Sequence, residues 1–202
     1  MTRVLWDVDT QVDFVRADGK LAVPDAEAAV PAMARLVGGW RDAGLVHVAS
    51  ADDHELTDDE ISPEPDFRET YPPHCLRGTR GAGKVPETAQ ADPVPLALTP
   101  VPARWLEGRE FLLLKKHFDV FTNPNADALL DLLDPGEVVV FGVATDVCDD
   151  AAIRGLVARG RTVTFVSEAS RGLDAARTAA CVEDWRGLGV RFASVDEVLA
   201  DL

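Results

Sequence analysis

Residues 137–148, Glu-Val-Val-Val-Phe-Gly-Val-Ala-Thr-Asp-Val-Cys, constrain this chain more than any other stretch. Val138, Val139, Val140 and Phe141 form an unbroken run of apolar β-formers, the pattern of a strand buried on both faces. Strands of that kind belong to parallel sheets covered by helices on either side. The run stops at Gly142, and a helical pattern follows over about 146–159, with Ala151, Ala152, Leu156 and Val157 on one side. Thr145 or Asp146 is suited to cap that helix. Cys148 is therefore predicted in a first helical turn, just beyond the carboxyl end of a central strand. Ligands collect at that edge of an open α/β sheet. Unpaired amides and the positive end of the helix dipole face it. Such a position lowers a thiol pKa and can hold an oxyanion. A cysteine there is equally well read as a small buried hydrophobe.

The rest of the chain repeats the same alternation. Residues 3–9 read as a buried strand ending in Asp7 and Asp9, two acids that are costly there unless each has a partner or a task. A helix opening at Val23-Pro24-Asp25 runs to about 42, with Ala29, Met33, Leu36, Val37 and Trp40 at helical spacing. Pro31 lies inside it, so a kink or a later start is expected. Strands follow at 45–50, where His47 is read as a packed histidine, and at 111–115. A short helix at 125–133 leads into the central strand. Beyond the Cys148 helix come a strand at 161–167, a helix at 174–188 carrying Cys181, a strand at 190–193 and a closing helix at 195–202. Between about 51 and 110 the pattern breaks into a proline- and acid-rich excursion, of a length that is functional or carries short elements of its own. The expectation is one domain over 1–202, a three-layer α/β/α fold with a mostly parallel six-stranded sheet. Its switch point should fall between the first and central strands, which makes Asp9 and Cys148 neighbours.

A net charge of −15 argues against nucleic acid and anionic membrane as partners. Cys75, Cys148 and Cys181 are odd in number and widely spaced, which points to a reducing compartment rather than a disulfide framework. Met1-Thr2-Arg3 leads straight into a strand, no signal-peptide pattern is seen, and no apolar run reaches membrane-spanning length. The expected location is cytoplasmic.

Asp9, Lys115 and Cys148 each end or follow a strand at the same sheet edge. Together they make chemical sense: a carboxylate can take a thiol proton, and a lysine beside both can stabilise the thiolate and orient the carboxylate. At these residues the sequence resembles the isochorismatase-like cysteine hydrolases, the family that includes nicotinamidases. Four motifs carry the resemblance: Asp9-Thr10-Gln11-Val12-Asp13-Phe14; Asp52-Asp53-His54 with Tyr71-Pro72-Pro73-His74-Cys75; Lys115 with Phe121 six residues on; and Gly142-Val143-Ala144-Thr145-Asp146-Val147-Cys148. The resemblance implies Asp9 as general base, Lys115 as catalytic lysine and Cys148 as nucleophile. It further implies an oxyanion hole from the Ala144 and Cys148 amides, a cis peptide at Val143–Ala144, and self-association. Lys116 competes with Lys115, since only one can face the site, and the spacing to Phe121 favours Lys115.

Asp52 and His54 fall on the same side of an extended chain, and His74 returns from the excursion as a third ligand. Oxygen and imidazole suit zinc, iron or manganese. The resemblance calls for a fourth ligand between the two segments, and Glu60 or Glu64 supplies it. No organic cofactor is implied. At two places the chain departs from the family pattern. Asp149-Asp150 stand where small apolar residues are usual; they favour the helix dipole but raise the pKa of a neighbouring thiol. Val147 stands where a polar or aromatic residue is frequent. Phe14 and Tyr71 are candidate walls for a ring.

The expected activity is cysteine-dependent hydrolysis of a small carboxamide, nicotinamide first, to the acid and ammonia through a thioester. The alternatives are another small amide, a carbamoyl compound or a vinyl ether on the same scaffold, or a non-catalytic binding module.

Overall fold

Buried apolar runs alternating with amphipathic helices fold into a parallel sheet with helices on both faces. The computed structural model describes residues 2–102, 104 and 106–202; Met1, Ala103 and Trp105 lie outside the described residues. The strands are β1 (Arg3–Val8), β2 (Val46–Asp52), β3 (Val94–Leu96), β4 (Glu110–Lys115), β5 (Glu137–Val143), β6 (Val163–Arg171) and β7 (Arg191–Phe192). They pair in the order β3-β4-β2-β1-β5-β6-β7, every pairing parallel.

The sheet has seven strands, not the expected six. The additional one, β3, is three residues long with Pro95 at its centre, so it shows no period-2 signal. Proline is tolerated there because β3 is an edge strand with one hydrogen-bonded neighbour. The chain adds β2, β4 and β3 to one side of β1, then β5, β6 and β7 to the other. The reversal of direction therefore falls between β1 and β5, as expected.

The helices are α1 (Val12–Val15), α2 (Ala26–Asp42), α3 (Ala126–Leu133), α4 (Asp150–Ala158), α5 (Ala175–Gly187) and α6 (Val195–Ala200). On one face Leu5, Val139 and Phe141 pack against Met33, Leu36 and Trp40 of α2 and Val198 of α6. On the other, Val4, Trp6, Val138 and Val140 pack against Leu129 of α3, Ile153 and Leu156 of α4 and Trp185 of α5. Each fully buried aliphatic side chain contributes roughly 1.5–3 kcal/mol. α2 starts at Ala26 and continues past Pro31, which has no N–H for the Glu27 carbonyl; both residues are exposed, so that carbonyl is left to solvent.

Close approach of β1 and β5 is set by Gly142: at φ +141° a Cβ there would stand 2.1 Å from the Val8 carbonyl oxygen. Phe121 stacks on Trp6 with centroids 6.1 Å apart. Its ring also fills the space where a side chain at Gly155 of α4 would stand. The aromatic of the lysine motif thus seats the helix that follows the cysteine. The excursion is ordered by its own backbone bonds, which fold it back onto the end of β1: Val12 donates to Gly83, Asp13 to Gly81, Val85 to Thr10 and His54 to Cys75.

Candidate active site

Register alone brings the reactive groups to one edge. Asp52 ends β2 and Lys115 ends β4, and the two are paired residues. β2 runs two residues beyond the expected end at Ser50, which puts Asp52 on the strand. Val8 and Gly142 are paired across β1 and β5, so Asp9 leaves β1 beside the turn that carries Cys148. Asp9 adopts the left-handed region, φ 49°, and Val143–Ala144 is a cis peptide.

Lys115 is wholly buried among these groups. Its Nζ is 2.8 Å from Asp9 Oδ2, forms an ion pair with Asp52 Oδ1, and lies 3.9 Å from Cys148 Sγ. Ser50 donates its hydroxyl to Asp9 Oδ1 at 2.7 Å. Lys116 points the other way and pairs with Asp58 at 2.8 Å. Burial works against the Lys115 charge, but Asp52 and Asp9 outweigh it and hold the ammonium well above its ordinary range. Burial raises Asp9, Lys115 partly opposes this, and Asp52 adds to the rise.

The thiol departs from expectation. A helix start was expected to lower its pKa; instead burial pushes Cys148 well above its usual value. Lys115 opposes the shift, while Asp9, Asp52 and Glu60 reinforce it. The resting group is therefore a thiol, and a proton acceptor is needed to activate it. The turn also differs in shape. Ala144 occupies the cap position with no side-chain cap, and the Asp149 amide donates to the Ala144 carbonyl five residues back at 3.1 Å, a widened turn. Neither Thr145 nor Asp146 caps it. The buried Asp146 side chain instead accepts from the Leu173 and Asp174 amides, at 2.7 and 3.1 Å, and pairs with Arg177 at 3.1 Å.

A second cluster adjoins the first. Asp52, His54, Glu60 and His74 are all buried and offer ligand atoms within 4.8 Å of one another. Glu64 is exposed and lies outside this group, so of the two glutamates the fold selects Glu60. His74 Nδ1 is 2.7 Å from the Pro72 carbonyl, which can only accept, so Nδ1 carries a hydrogen and Nε2 is the atom turned toward the cluster. His54 Nδ1 faces the Asp58 carboxylate at 3.2 Å, so its neutral form presents Nε2 in the same way; burial works against its charge, but Asp52 and Glu60 raise its pKa, so a cation would displace a proton there. Both Nε2 atoms point at Asp52 Oδ2, His74 at 3.5 Å and His54 at 3.7 Å. Asp52 Oδ2 and His54 Nε2 have no hydrogen-bond partner among the described residues. Buried lone pairs converging on one point, each ring oriented by a carbonyl or carboxylate behind it, fit a divalent cation.

A cleft with about 280 Å³ of empty space, its open mouth included, connects the two clusters. Phe14, Leu21, Val23, Tyr71, Val147 and Leu173 form its apolar walls, with Ala144, Cys148, Asp52, Glu60 and His74 on the polar side. Its described lining contains no lysine or arginine. Phe14 and Tyr71 both meet His74, with ring centroids at 5.1 and 6.2 Å.

Sequence reasoning did not single out Ser50 or Lys84. Lys84 answers the cost of a buried Asp7, with Nζ 2.8 Å from Asp7 Oδ1. The available signal was Asp7 itself, an acid that required a partner.

Asp149 has no such answer. It is fully buried, and neither carboxyl oxygen has a hydrogen-bond partner among the described residues. Burial and then Asp9 push its pKa well upward; the Thr145 hydroxyl opposes them, and Asp7 and Asp146 add to the rise. Folded protein therefore keeps a proton that the unfolded chain releases above about pH 4. That contribution to stability is complete below the unfolded value and is lost as pH rises toward the folded one. Asp149→Asn cannot ionise, so it should gain on the wild type with rising pH, by on the order of a few degrees in Tm at pH 8. Urea or thermal unfolding at pH 4 and pH 8 checks this; an equal difference at both values would show that Asp149 is not held protonated.

Comparison with known proteins follows the same lines. The family model described as the isochorismatase domain matches residues 4–197. The nicotinamidase/pyrazinamidase of Mycobacterium tuberculosis (strain ATCC 25618 / H37Rv) is 30% identical over 193 residues, spanning 94% of this chain and 97% of that protein. Pyrazinamidase of Pyrococcus horikoshii, solved in complex with zinc, superposes with a TM-score of 0.76 at 21% identity, covering 96% of this chain and 99% of that one. N-carbamoylsarcosine amidase from Thermoplasma acidophilum gives 0.74 at 22% identity, covering 97% and 98%. At those identities the two structures establish the likeness of fold alone.

Proposed function

The chain belongs to the isochorismatase family, and from that premise we propose that it is a cysteine amidohydrolase of small uncharged carboxamides, nicotinamide foremost. One observation carries the reading: the Lys115 ammonium joins Asp9, at 2.8 Å, to the Cys148 thiol, at 3.9 Å, beside an apolar cleft.

In this reading Asp9, its proton affinity raised by burial, takes the proton of the Cys148 thiol, and Lys115 offsets the resulting thiolate charge. Sulfur attacks the carbonyl carbon. The Ala144 and Cys148 amides hold the oxyanion. Collapse breaks the C–N bond, and Asp9 returns the proton to the departing amine, giving ammonia and a thioester. Asp9 then takes a proton from water, hydroxide displaces the thiolate, and the acid leaves as the thiol is restored. A divalent cation held by Asp52, His54, Glu60 and His74 would supply a Lewis acid that anchors a ring nitrogen. Phe14 and Tyr71 flank a flat ring. The relative from Mycobacterium tuberculosis, named a nicotinamidase/pyrazinamidase, supports such a ring.

A carbamoyl acid or an anionic vinyl ether is disfavoured, because a carboxylate would meet no lysine or arginine along the described lining. The test is steady-state ammonia release from nicotinamide, benzamide and a carbamoyl amino acid. Nicotinamide should exceed benzamide, which lacks the ring nitrogen, by at least about tenfold in kcat/KM, and the carbamoyl acid should be poorest. If benzamide matches nicotinamide, the ring-nitrogen contact is not used. If the carbamoyl acid wins, the substrate assignment fails.

A further inference from the structure

The first motif contains more than a base and an aromatic wall. Gln11, two residues after Asp9, is wholly buried. Its Oε1 accepts from the Asp52 amide at 2.7 Å, while its Nε2 donates to the Asp52 carbonyl at 2.8 Å and to the Ala82 carbonyl at 2.7 Å. The side chain thus grips both backbone groups of one residue, as a neighbouring strand would, at the end of β2. Asp13, two residues further on, repeats the device. Its Oδ2 accepts from the Cys75 amide at 2.8 Å and its Oδ1 from the Lys20 amide at 3.1 Å. The fit is tight: a Cβ on Gly81 would stand about 2.1–2.4 Å from the Asp13 carboxyl atoms. Alternate residues of one short turn therefore carry the base, a grip on Asp52, and a grip on the residue next to His74.

We propose that Gln11 and Asp13 are positioning residues that hold the backbones of Asp52 and of the His74–Cys75 segment, so that the cation cradle stays in register with Asp9. The proposal rests on the reading of Asp52, His54, Glu60 and His74 as cation ligands. Asp52 needs such a hold. Its two oxygens face different clusters, Oδ1 toward Lys115 and Oδ2 toward His54 and His74. Lys115, on a long side chain also held by Asp9, can follow a small shift of Oδ1, whereas the two imidazoles, fixed from behind by the Pro72 carbonyl and Asp58, cannot follow Oδ2. Residues that orient metal ligands typically change affinity 10–100-fold when lost. Gln11 and Asp13 lie outside the cleft lining, so their effect reaches the reaction only through the residues they hold.

The experiment uses full-length protein freed of metal with a chelator. Zinc affinity is measured by competition with a chromophoric chelator for the wild type, Gln11→Met, Gln11→Asn and Asp13→Asn. Gln11→Met keeps the length and loses the polar groups. Gln11→Asn keeps the amide but is one methylene too short to reach. Asp13→Asn keeps one acceptor and replaces the other with a donor facing an amide donor. In parallel, the alkylation rate of Cys148 by iodoacetamide is followed in the metal-free proteins, in a Cys75→Ala/Cys181→Ala background. Zinc affinity should fall about 10–100-fold in each variant, with the alkylation rate within about twofold of the parent. That split shows an effect confined to the cradle. A folded variant that binds zinc like the wild type overturns the proposal and leaves the cation reading intact. Loss of affinity and of normal alkylation together, in all the variants that fold, overturns it as well, because the residues would then be general scaffold. A wild-type protein that binds no zinc, manganese or iron overturns the cation reading and the proposal with it. If Gln11→Met does not fold, the milder Gln11→Asn and Asp13→Asn decide.

Discussion

Cys148→Ala is expected to fold as the parent does and to lose about 10⁴- to 10⁶-fold in amide turnover, the scale seen when a covalent nucleophile is removed. Only the sulfur is deleted, at the rim of the cleft where Cys148 keeps 7% exposure, so the packing cost is small. The chemical cost is large, because no other described thiol contacts Lys115; Cys75 is sealed away with its pKa also raised by burial, and Cys181 lies on α5. Asp9→Asn keeps the shape and removes the proton acceptor. Since the resting group is a thiol, Asp9→Asn should be nearly as damaging as Cys148→Ala. The double variant should be no worse than the worse single one, because both changes break the same step. Ammonia release and a thermal melt on each protein settle it. A folded Cys148→Ala enzyme with near-normal turnover removes the thioester route.

Lys115→Met should damage both stability and activity. Methionine matches the length, but it leaves Asp9 Oδ2 and Asp52 Oδ1 facing each other in the interior without their shared ammonium. Breaking one side of a buried ion pair costs about 3–5 kcal/mol. Part of that loss should return in acid. In the parent, burial tends to raise Asp52, but its neighbours, Lys115 foremost, outweigh it and hold its carboxyl well below the ordinary value. The stability this confers is present above the unfolded carboxylate value and fades as pH falls below it. Without Lys115 that benefit is gone, so the gap between variant and parent should narrow as pH falls below about 4. Lys116→Met is the control. Lys116 is half-buried and pairs with Asp58 near the surface, a bond worth about 0–1 kcal/mol, and turnover should be unchanged. Urea unfolding at two pH values, with activity on the same samples, tests the pair. Equal harm from both would mean that the arrangement at the end of β4 is not the one described.

The tandem valines before Phe141 could hardly be anything but a covered strand, and the alternation on either side made a parallel sheet with helices on both faces legible in the sequence. Chain order and strand-end position were enough to set Asp9, Lys115 and Cys148 on one edge, because parallel strands all end on the same side. Alternation separated Lys115 from Lys116, since it is a local property of the strand. What could not be read was whatever depends on distant segments meeting. β3 has no pattern of its own and is a strand only because β4 lies beside it. Glu60 and Glu64 are equivalent on paper; the bridge between Ile61 and Tyr71 folds one toward His74 and leaves the other in solvent. Gln11 was a motif letter until the fold brought the backbone of Asp52, 41 residues away, against its amide. The proton affinity of Cys148 reversed for the same reason. A helix start predicts a lowered pKa, but the field at a thiol is the sum over every charge and every excluded water around it. Burial with Asp9, Asp52 and Glu60 outweighs one turn of amides and Lys115. Periodicity is written residue by residue, whereas desolvation and convergence exist only once the chain has closed on itself.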